Sequence, residues 1–124
     1  MSSWCWIVPS RDTGQAAEQR ALDYLQQHGL KLIASNYHSR FGEIDLILRD
    51  GDVLVFAEVR MRSSNDFGGA RASITATKQA KLIKTAQFYL TQFSRPPACR
   101  FDAVLLGAAN GGAIEWIRDA FSAD

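Results

Sequence analysis

Two runs of strand-forming residues, 42–49 and 53–62, place the strongest constraint on what this chain can fold into. In the first run polar and apolar residues largely alternate, which is the period of a β-strand. Asp50-Gly51 between the runs is a strong signal for a two-residue hairpin turn. The first strand is predicted to place Ile44, Leu46 and Leu48 on one face and Glu43, Asp45 and Ile47 on the other. The second is predicted to place Leu54, Phe56, Glu58, Arg60 and Arg62 on one face and Val53, Val55, Ala57 and Val59 on the other.

This turn also predicts which residues of the two strands face each other. With Asp50-Gly51 as the loop, Glu43 falls opposite Glu58, and Asp45 and Arg60 project to the same side. Asp45 then lies diagonally from Glu58, roughly 7–8 Å away at the backbone, so both carboxylates can reach one ion. A loop of three residues would change the parity and remove this result.

The rest of the chain predicts two helices and three more strands around the hairpin. In chain order they are a helix over 14–28, a strand over 30–37, then after the hairpin a helix over 75–93 and strands over 100–107 and 113–117. The order α-β-β-β-α-β-β predicts an α/β domain with a central mixed sheet of about five strands flanked by helices. Residues 1–12 are predicted to be a flexible N-terminal segment and residues 13–124 a single domain, since a chain of this length can bury roughly two thirds of its unfolded surface.

Several classes of protein are disfavoured by composition. Cys5 and Cys99 are too few for a disulfide framework and lack the close Cys/His spacing of a zinc site. The apolar stretch before Pro9 is too short for a signal peptide, and no later stretch has the length of a membrane span. We therefore expect a cytoplasmic protein that does not contact a membrane.

Charge is unevenly distributed along the chain, although the net charge is only +1. From Asp12 to Glu58 there are eight acidic residues against four basic ones, whereas the segment 60–84 is mainly basic. The basic residues of that segment are Arg60, Arg62, Arg71, Lys78, Lys81 and Lys84. Such a segment is typical of a solvated helix face and also of a phosphate-binding surface.

Carboxylates gathered on a partly apolar sheet face are electrostatically unfavourable unless they are paired or hold a metal ion. Oxygen ligands alone favour Mg²⁺ or Mn²⁺, and Mg²⁺ commonly takes one or two carboxylates and leaves its other positions to water and phosphate. The spacing is therefore compatible with phosphodiester chemistry. The alternative is that Glu43 and Asp45 face solvent while Glu58 pairs with Arg60 or Arg62.

At these residues the chain resembles a known bacterial family, the small YraN-like proteins. The matching segments are GEIDLI at 42–47, FAEVR at 56–60, RSS at 62–64, FG at 67–68, TKQ at 77–79, RFD at 100–102 and EWIRDAF at 115–121. The resemblance covers roughly residues 14–121. This family is usually placed in the restriction-endonuclease-like PD-(D/E)xK superfamily, near archaeal Holliday-junction resolvases, which implies a nuclease-like fold.

The resemblance also implies roles for individual residues. Asp45 and Glu58 would be the metal ligands, and Arg60 falls where the superfamily has a lysine. Glu18 matches a carboxylate from the first helix, where it lies on the apolar side of the predicted helix. Gln79 matches an auxiliary polar residue on the second helix. Arg60 departs from the pattern, because an arginine stays protonated and cannot act as a base, although it can hold phosphate oxygens.

The leading hypothesis is a Mg²⁺- or Mn²⁺-dependent DNA endonuclease acting on branched or damaged DNA. Its phosphate contacts would be Arg62, Arg71, Lys78, Lys81 and Lys84. One alternative is a nucleic-acid-binding module that keeps the nuclease fold without cleavage. Another is a protein-interaction domain that docks through aromatic residues near its termini. Because resolvases act as dimers, the resemblance also leaves a homodimer open.

Overall fold

Seven regular elements form the part of the chain that the computed structural model describes, which comprises residues 12–61, 74–107 and 113–122. In chain order they are α1 (Asp12–Gln27), β1 (Lys31–Ser39), β2 (Gly42–Asp50), β3 (Val53–Met61), α2 (Ala76–Leu90), β4 (Cys99–Leu106) and β5 (Ile114–Phe121). This order confirms the predicted α-β-β-β-α-β-β arrangement. Residues 1–11 of the predicted N-terminal segment, together with Arg62 and Arg71, lie outside the described residues.

The five strands form one mixed sheet in the order β1-β2-β3-β4-β5. Only β3 and β4 are parallel; the other neighbouring pairs are antiparallel. Helix α2 makes the crossover that the parallel pair requires, whereas the antiparallel β2 and β3 need only a hairpin. The chain therefore forms the mixed sheet that the sequence predicts.

The two helices cover opposite faces of this sheet. Three α1 residues, Ala17, Ala21 and Leu25, pack with a cluster that includes Val55 and Ala57 of β3. On the other face, Leu82 and Ala86 of α2 pack with a cluster that includes Leu54 and Phe56. The predicted alternation of β3 is thus confirmed, because its even-numbered residues face α2 and its odd-numbered residues face α1.

The turn between β2 and β3 differs from the prediction. Asp50 pairs with Val53, so the two-residue loop is Gly51 and Asp52 rather than Asp50-Gly51. Gly51 has a φ of 63°, whereas neither Asp50 nor Asp52 has a positive φ. A positive φ at only the first loop position is the pattern of a type II′ turn, which favours glycine there. The prediction is wrong because the alternative loop would have required a left-handed conformation at Asp50.

This correction moves the register by two residues and leaves the faces unchanged over the paired stretch from Leu46 to Asp50. Side chains alternate with a period of two, so an even shift keeps a residue of a regular strand on its side of the sheet. The consequence is local: the pairing ends at Leu46 opposite Ala57, so Glu43 no longer faces Glu58.

The regular alternation of β2 breaks at Asp45. Ile44 packs in the α2-side cluster together with Ile47, whereas Leu46 packs on the α1 side. The prediction that Ile44 shares a face with Leu46 is therefore wrong. On the neighbouring strand β1, the residue at this level is Asn36, whose φ of 52° is left-handed. An irregular backbone at this point reorients the side chains on either side of Asp45.

Helix α2 approaches the start of β2 closely at Gly42. A β-carbon on Gly42 would come within 3.2 Å of Thr85 Oγ1 and 3.6 Å of Lys81 Cβ. Its φ of 148° is also rarely adopted by residues with a side chain. Thr85 is fully buried there and donates its hydroxyl hydrogen bond to the Lys81 carbonyl at 2.8 Å. The glycine thus sets how near the lysines of α2 lie to the hairpin.

Asp102 is a fully buried carboxylate on β4. It accepts hydrogen bonds from the Trp116 indole at 2.9 Å and from the Asp119 backbone N–H at 3.0 Å. The Arg100 guanidinium also pairs with it, at 3.0 Å. Pairing between β4 and β5 is irregular at this position, and Asp119 has a left-handed φ of 54°. Asp102 therefore organises a bulge that lets β5 continue to Phe121, four residues beyond its predicted end at Ile117.

No helix within the described ranges has both the length and the apolar content needed to cross a membrane.

Candidate active site

The candidate site lies where β2 and β3 separate. Their pairing runs from the hairpin to Leu46 opposite Ala57 and ends there, while β3 stays paired with β4 as far as Met61. Beyond this point the Asp45 carboxylate occupies the gap, because its Oδ2 accepts the Val59 backbone N–H at 2.9 Å. One carboxylate is thereby anchored to the neighbouring strand next to Glu58.

Glu58 is buried, with only 4% of its surface exposed. Among the described residues its closest cationic partner is Lys78, whose Nζ lies 3.2 Å from Glu58 Oε2. Arg60 lies farther away, with Nη1 at 3.9 Å from the same oxygen. A buried carboxylate is unfavourable unless a positive charge compensates it, and here helix α2 provides the nearer one.

The pKa of Glu58 is raised from 4.5 to about 7. Burial is the largest cause, because it disfavours the charged form. The negative charge of Asp45 raises the pKa further, and so does a side-chain hydrogen bond with Asp45, whereas Lys78 lowers it. Near neutral pH the pair of carboxylates therefore holds a proton for part of the time. A divalent cation that binds both groups would displace that proton.

Lys78 is held in place by the start of its helix. Thr75 is the N-cap of α2, and its hydroxyl accepts the Lys78 backbone N–H at 3.1 Å. A cation in the first turn is unfavourable against the helix dipole, which is positive at that end. The pairing with Glu58 offsets this cost. The sequence predicts Lys78 only as a phosphate contact, because nothing in the local pattern around Thr75 indicates that its side chain reaches Glu58.

Four of the predicted site residues thus come together: Asp45, Glu58, Arg60 and Lys78. Glu43 does not join them, because it is exposed and pairs with His38 at 3.3 Å. The catalytic roles of Asp45, Glu58 and Arg60 and the phosphate contact of Lys78 remain predictions.

Two other predicted residues, Glu18 and Gln79, have the following surroundings. Glu18 lines a cavity of about 270 Å³ together with Ser35 and Asn36 of β1. The Gln79 side chain donates to the Ile74 carbonyl at 3.0 Å, at the beginning of α2. In the described part of the chain, no group of three or more His, Cys, Asp or Glu side chains is arranged to hold a metal ion. The candidate ligands among the described residues are therefore the two carboxylates of Asp45 and Glu58.

The remaining predicted phosphate contacts on α2 are farther from the carboxylates. Lys81 is exposed beside Gly42, and Lys84 is exposed beside Phe41 and Phe88. The three lysines Lys78, Lys81 and Lys84 therefore follow the helix from the carboxylate pair towards these aromatic rings.

The two carboxylates fit a divalent cation with oxygen ligands. Glu58 is buried next to a second carboxylate, so a cation between them would relieve both repulsion and the cost of burial. Two protein oxygens leave most positions of Mg²⁺ or Mn²⁺ to water and to phosphate. Neither a thiolate nor an imidazole lies in this set, which disfavours zinc.

The candidate site falls inside the region that matches known proteins. A model of the family described as "Uncharacterised protein family UPF0102" matches residues 17–106. A UPF0102 protein of Nitrosomonas europaea is 57% identical over 108 residues, which are 87% of this chain and 92% of that protein. One of Nitrosospira multiformis is 54% identical over 108 residues, 87% and 91% of the two chains. One of Methylobacillus flagellatus is 53% identical over 113 residues, 91% and 99% of the two chains.

Proposed function

This chain belongs to the UPF0102 family, and we propose that it is a divalent-metal-dependent endonuclease that hydrolyses phosphodiester bonds in DNA. The observation that carries the proposal is the buried Glu58, which lies next to Asp45 and within 3.2 Å of Lys78. A structural ion pair would need one carboxylate and one cation. The second carboxylate raises the cost of this arrangement, and a cation-binding site gives a reason for it.

We further propose that the chain is a member of the PD-(D/E)xK superfamily. The Asp45 and Glu58 side chains interact where β2 and β3 separate, and Arg60 follows Glu58 by two residues. This is the spacing of that superfamily's motif, with arginine in place of the lysine. Lys78 brings an ammonium group from α2 to the same carboxylate. It would supply the amine that the motif lacks on β3.

In this proposal each residue has a definite task. Asp45 and Glu58 bind Mg²⁺ or Mn²⁺. When bound, the cation supplies Lewis acidity, which lowers the pKa of water and stabilises charge at the scissile phosphate. Lys78 and Arg60 hold phosphate oxygens, and Arg60 can do so with two parallel hydrogen bonds. A water oxygen adds to phosphorus, the bond from phosphorus to one deoxyribose oxygen breaks, and the protons of the water pass to that leaving oxygen and to solvent.

Asp45→Asn is expected to lower metal-dependent cleavage by about 100-fold or more, since charge stabilisation by a bound cation is worth several kcal/mol. The measurement is cleavage of labelled four-way junctions, flaps and linear duplexes with Mg²⁺ or Mn²⁺, against EDTA. Asp52→Asn is the matched control, because Asp52 is an exposed carboxylate in the hairpin loop. DNA of every type left intact at stoichiometric protein would overturn the proposal. If those strands were bound but uncut, the non-catalytic module would replace it.

Lys78→Met is expected to reduce kcat by roughly 10- to 100-fold, because it removes a positive charge that acts in the transition state. Lys81→Met is the matched control, since Lys81 lies one turn along the same helix but pairs with neither carboxylate among the described contacts. Loss of Lys81 should weaken DNA binding and its salt dependence slightly, with little change in kcat. If Lys78→Met changed kcat and KM no more than Lys81→Met does, Lys78 would be a binding contact like Lys81, with no separate role in the transition state.

A further inference from the structure

The half-buried Phe41 and the exposed Phe88 form an aromatic pair farther along α2 from the candidate active site, which we call the aromatic shelf. Their ring centroids are 5.8 Å apart, and 44% of Phe88 is exposed to solvent. The two rings line an open cavity of about 380 Å³ together with Lys84, Gln87 and Thr91. Large aromatic rings in solvent are costly unless a ligand covers them, so the shelf is a candidate binding surface.

Cations surround the aromatic shelf. The Arg40 guanidinium lies over the Phe41 ring at 5.0 Å from its centroid, and Lys84 lines the cavity itself. Lys81 is exposed one turn before Lys84 on α2. Within the described residues none of these three cations forms an ion pair, in contrast to Lys78. A purely apolar partner would leave them without counter-charge, whereas an anionic ligand with flat rings would complement both features.

The aromatic shelf is also correctly placed for a strand that passes through the active site. Phe88 follows Lys78 by ten residues on α2, which corresponds to about 15 Å along the helix axis. Lys81 and Thr85 lie between them, and both lie beside Gly42 at the start of β2. A nucleic acid whose scissile phosphate lies at Glu58 would therefore reach the shelf within a few nucleotides.

We propose that the aromatic shelf stacks an unpaired base of a DNA strand, while Arg40, Lys81 and Lys84 hold the adjoining phosphates. Stacking on exposed rings between cations is how proteins bind single strands without sequence preference, because every base has a π-face. Paired bases are stacked on each other and cannot offer that face. The substrate class would be DNA with a single-stranded segment next to the cut. The position of the cut rests on the proposed function, whereas the binding of the strand does not.

The test is fluorescence anisotropy with labelled oligothymidylate and with a blunt duplex of equal length, in EDTA and at low salt. Wild type is expected to bind oligothymidylate, and Phe88→Ala to weaken this binding by roughly 10-fold with little effect on the duplex. Phe88→Trp should retain binding and show indole quenching on stacking. Ile33→Ala is the matched control, because Ile33 is exposed to the same extent, 44%, on the edge strand β1.

The proposal that the aromatic shelf stacks a base would be overturned if wild type did not bind oligothymidylate, or if Phe88→Ala bound it with equal affinity. This holds even if cleavage were observed. Conversely, a loss of single-strand binding but not of duplex binding in Phe88→Ala would support base stacking at the aromatic shelf, even if no DNA were cut. Sedimentation analysis of the same variants tests whether a second copy of the chain binds to the aromatic shelf instead. If wild type self-associated and Phe88→Ala abolished the association, the shelf would be assigned to a second copy of the chain and the proposal would fail.

Discussion

Asp102→Ala is expected to lower the free energy of unfolding by about 3–5 kcal/mol, which is typical for the loss of one partner from a buried charge pair. The carboxylate is fully buried and bonded to Arg100, Trp116 and the backbone of Asp119. Its removal would take this acceptor from the indole N–H of the half-buried Trp116 and from the backbone N–H of Asp119. The bulge that joins β5 to β4 would lose the group that organises it. Urea-induced unfolding, followed by tryptophan fluorescence and circular dichroism, measures the effect.

Two further variants test why Asp102 stabilises the fold: one removes its charge but keeps its shape, and the other removes the second ion pair of Arg100. Asp102→Asn keeps one acceptor oxygen and should cost less than Asp102→Ala. Asp50→Asn is the control for Arg100, because Asp50 pairs with the same guanidinium at 3.0 Å but is partly exposed. That pair should contribute about 1 kcal/mol or less. If Asp102→Ala cost no more than Asp50→Asn, the organising role of Asp102 would be wrong.

Glu58→Gln is expected to stabilise the metal-free protein at alkaline pH by about 3 kcal/mol, which is the free energy that corresponds to the raised pKa of Glu58. Below pH 4.5 this carboxyl is protonated in both the folded and the unfolded protein. Between 4.5 and about 7 the folded protein keeps the proton that the unfolded protein loses, so stability falls as pH rises. Above 7 the folded protein bears the full cost of the buried charge, and glutamine removes it.

The measurement is urea unfolding of wild type and Glu58→Gln in EDTA, at one pH below 4.5 and one above 7. The increase in the free energy of unfolding of Glu58→Gln over wild type should be present only at the higher pH. Added Mn²⁺ should stabilise wild type there and leave the variant unchanged, since the variant lacks one ligand. Glu43→Gln is the control, because Glu43 is an exposed carboxylate on β2 and should produce no such gain. A gain of equal size at both pH values would contradict the assigned cause.

Much of the site could be predicted from the hairpin, because its short turn brings β2 and β3 together as neighbouring strands. The prediction that the Asp45 and Glu58 carboxylates lie close together survived a register error of two residues, although the alternation of β2 breaks at Asp45. Which residue would occupy the first loop position could not be predicted in the same way. Asp50-Gly51 and Gly51-Asp52 are both compatible with two-residue turns, and the left-handed conformation of Gly51 decided between them.

Contacts between distant parts of the chain were harder to predict from the sequence. The pairing of Glu58 with Lys78 links β3 to α2 across 20 positions and depends on where the helix begins. The length of β5 was underestimated for a similar reason, since its bulge depends on Asp102 of the neighbouring strand. In both places the local sequence pattern carries little information about the partner.

The sequence by itself determined the order of the elements, the mixed sheet between two helices, and the proximity of Asp45 and Glu58. These follow from side-chain periodicity and from turn residues, which act over a few positions. Only the tertiary structure decided that β2 and β3 separate at Asp45 and that Lys78 lies closer to Glu58 than Arg60 does. Such details depend on how a helix packs against a strand, and packing is set by contacts between residues far apart in the chain.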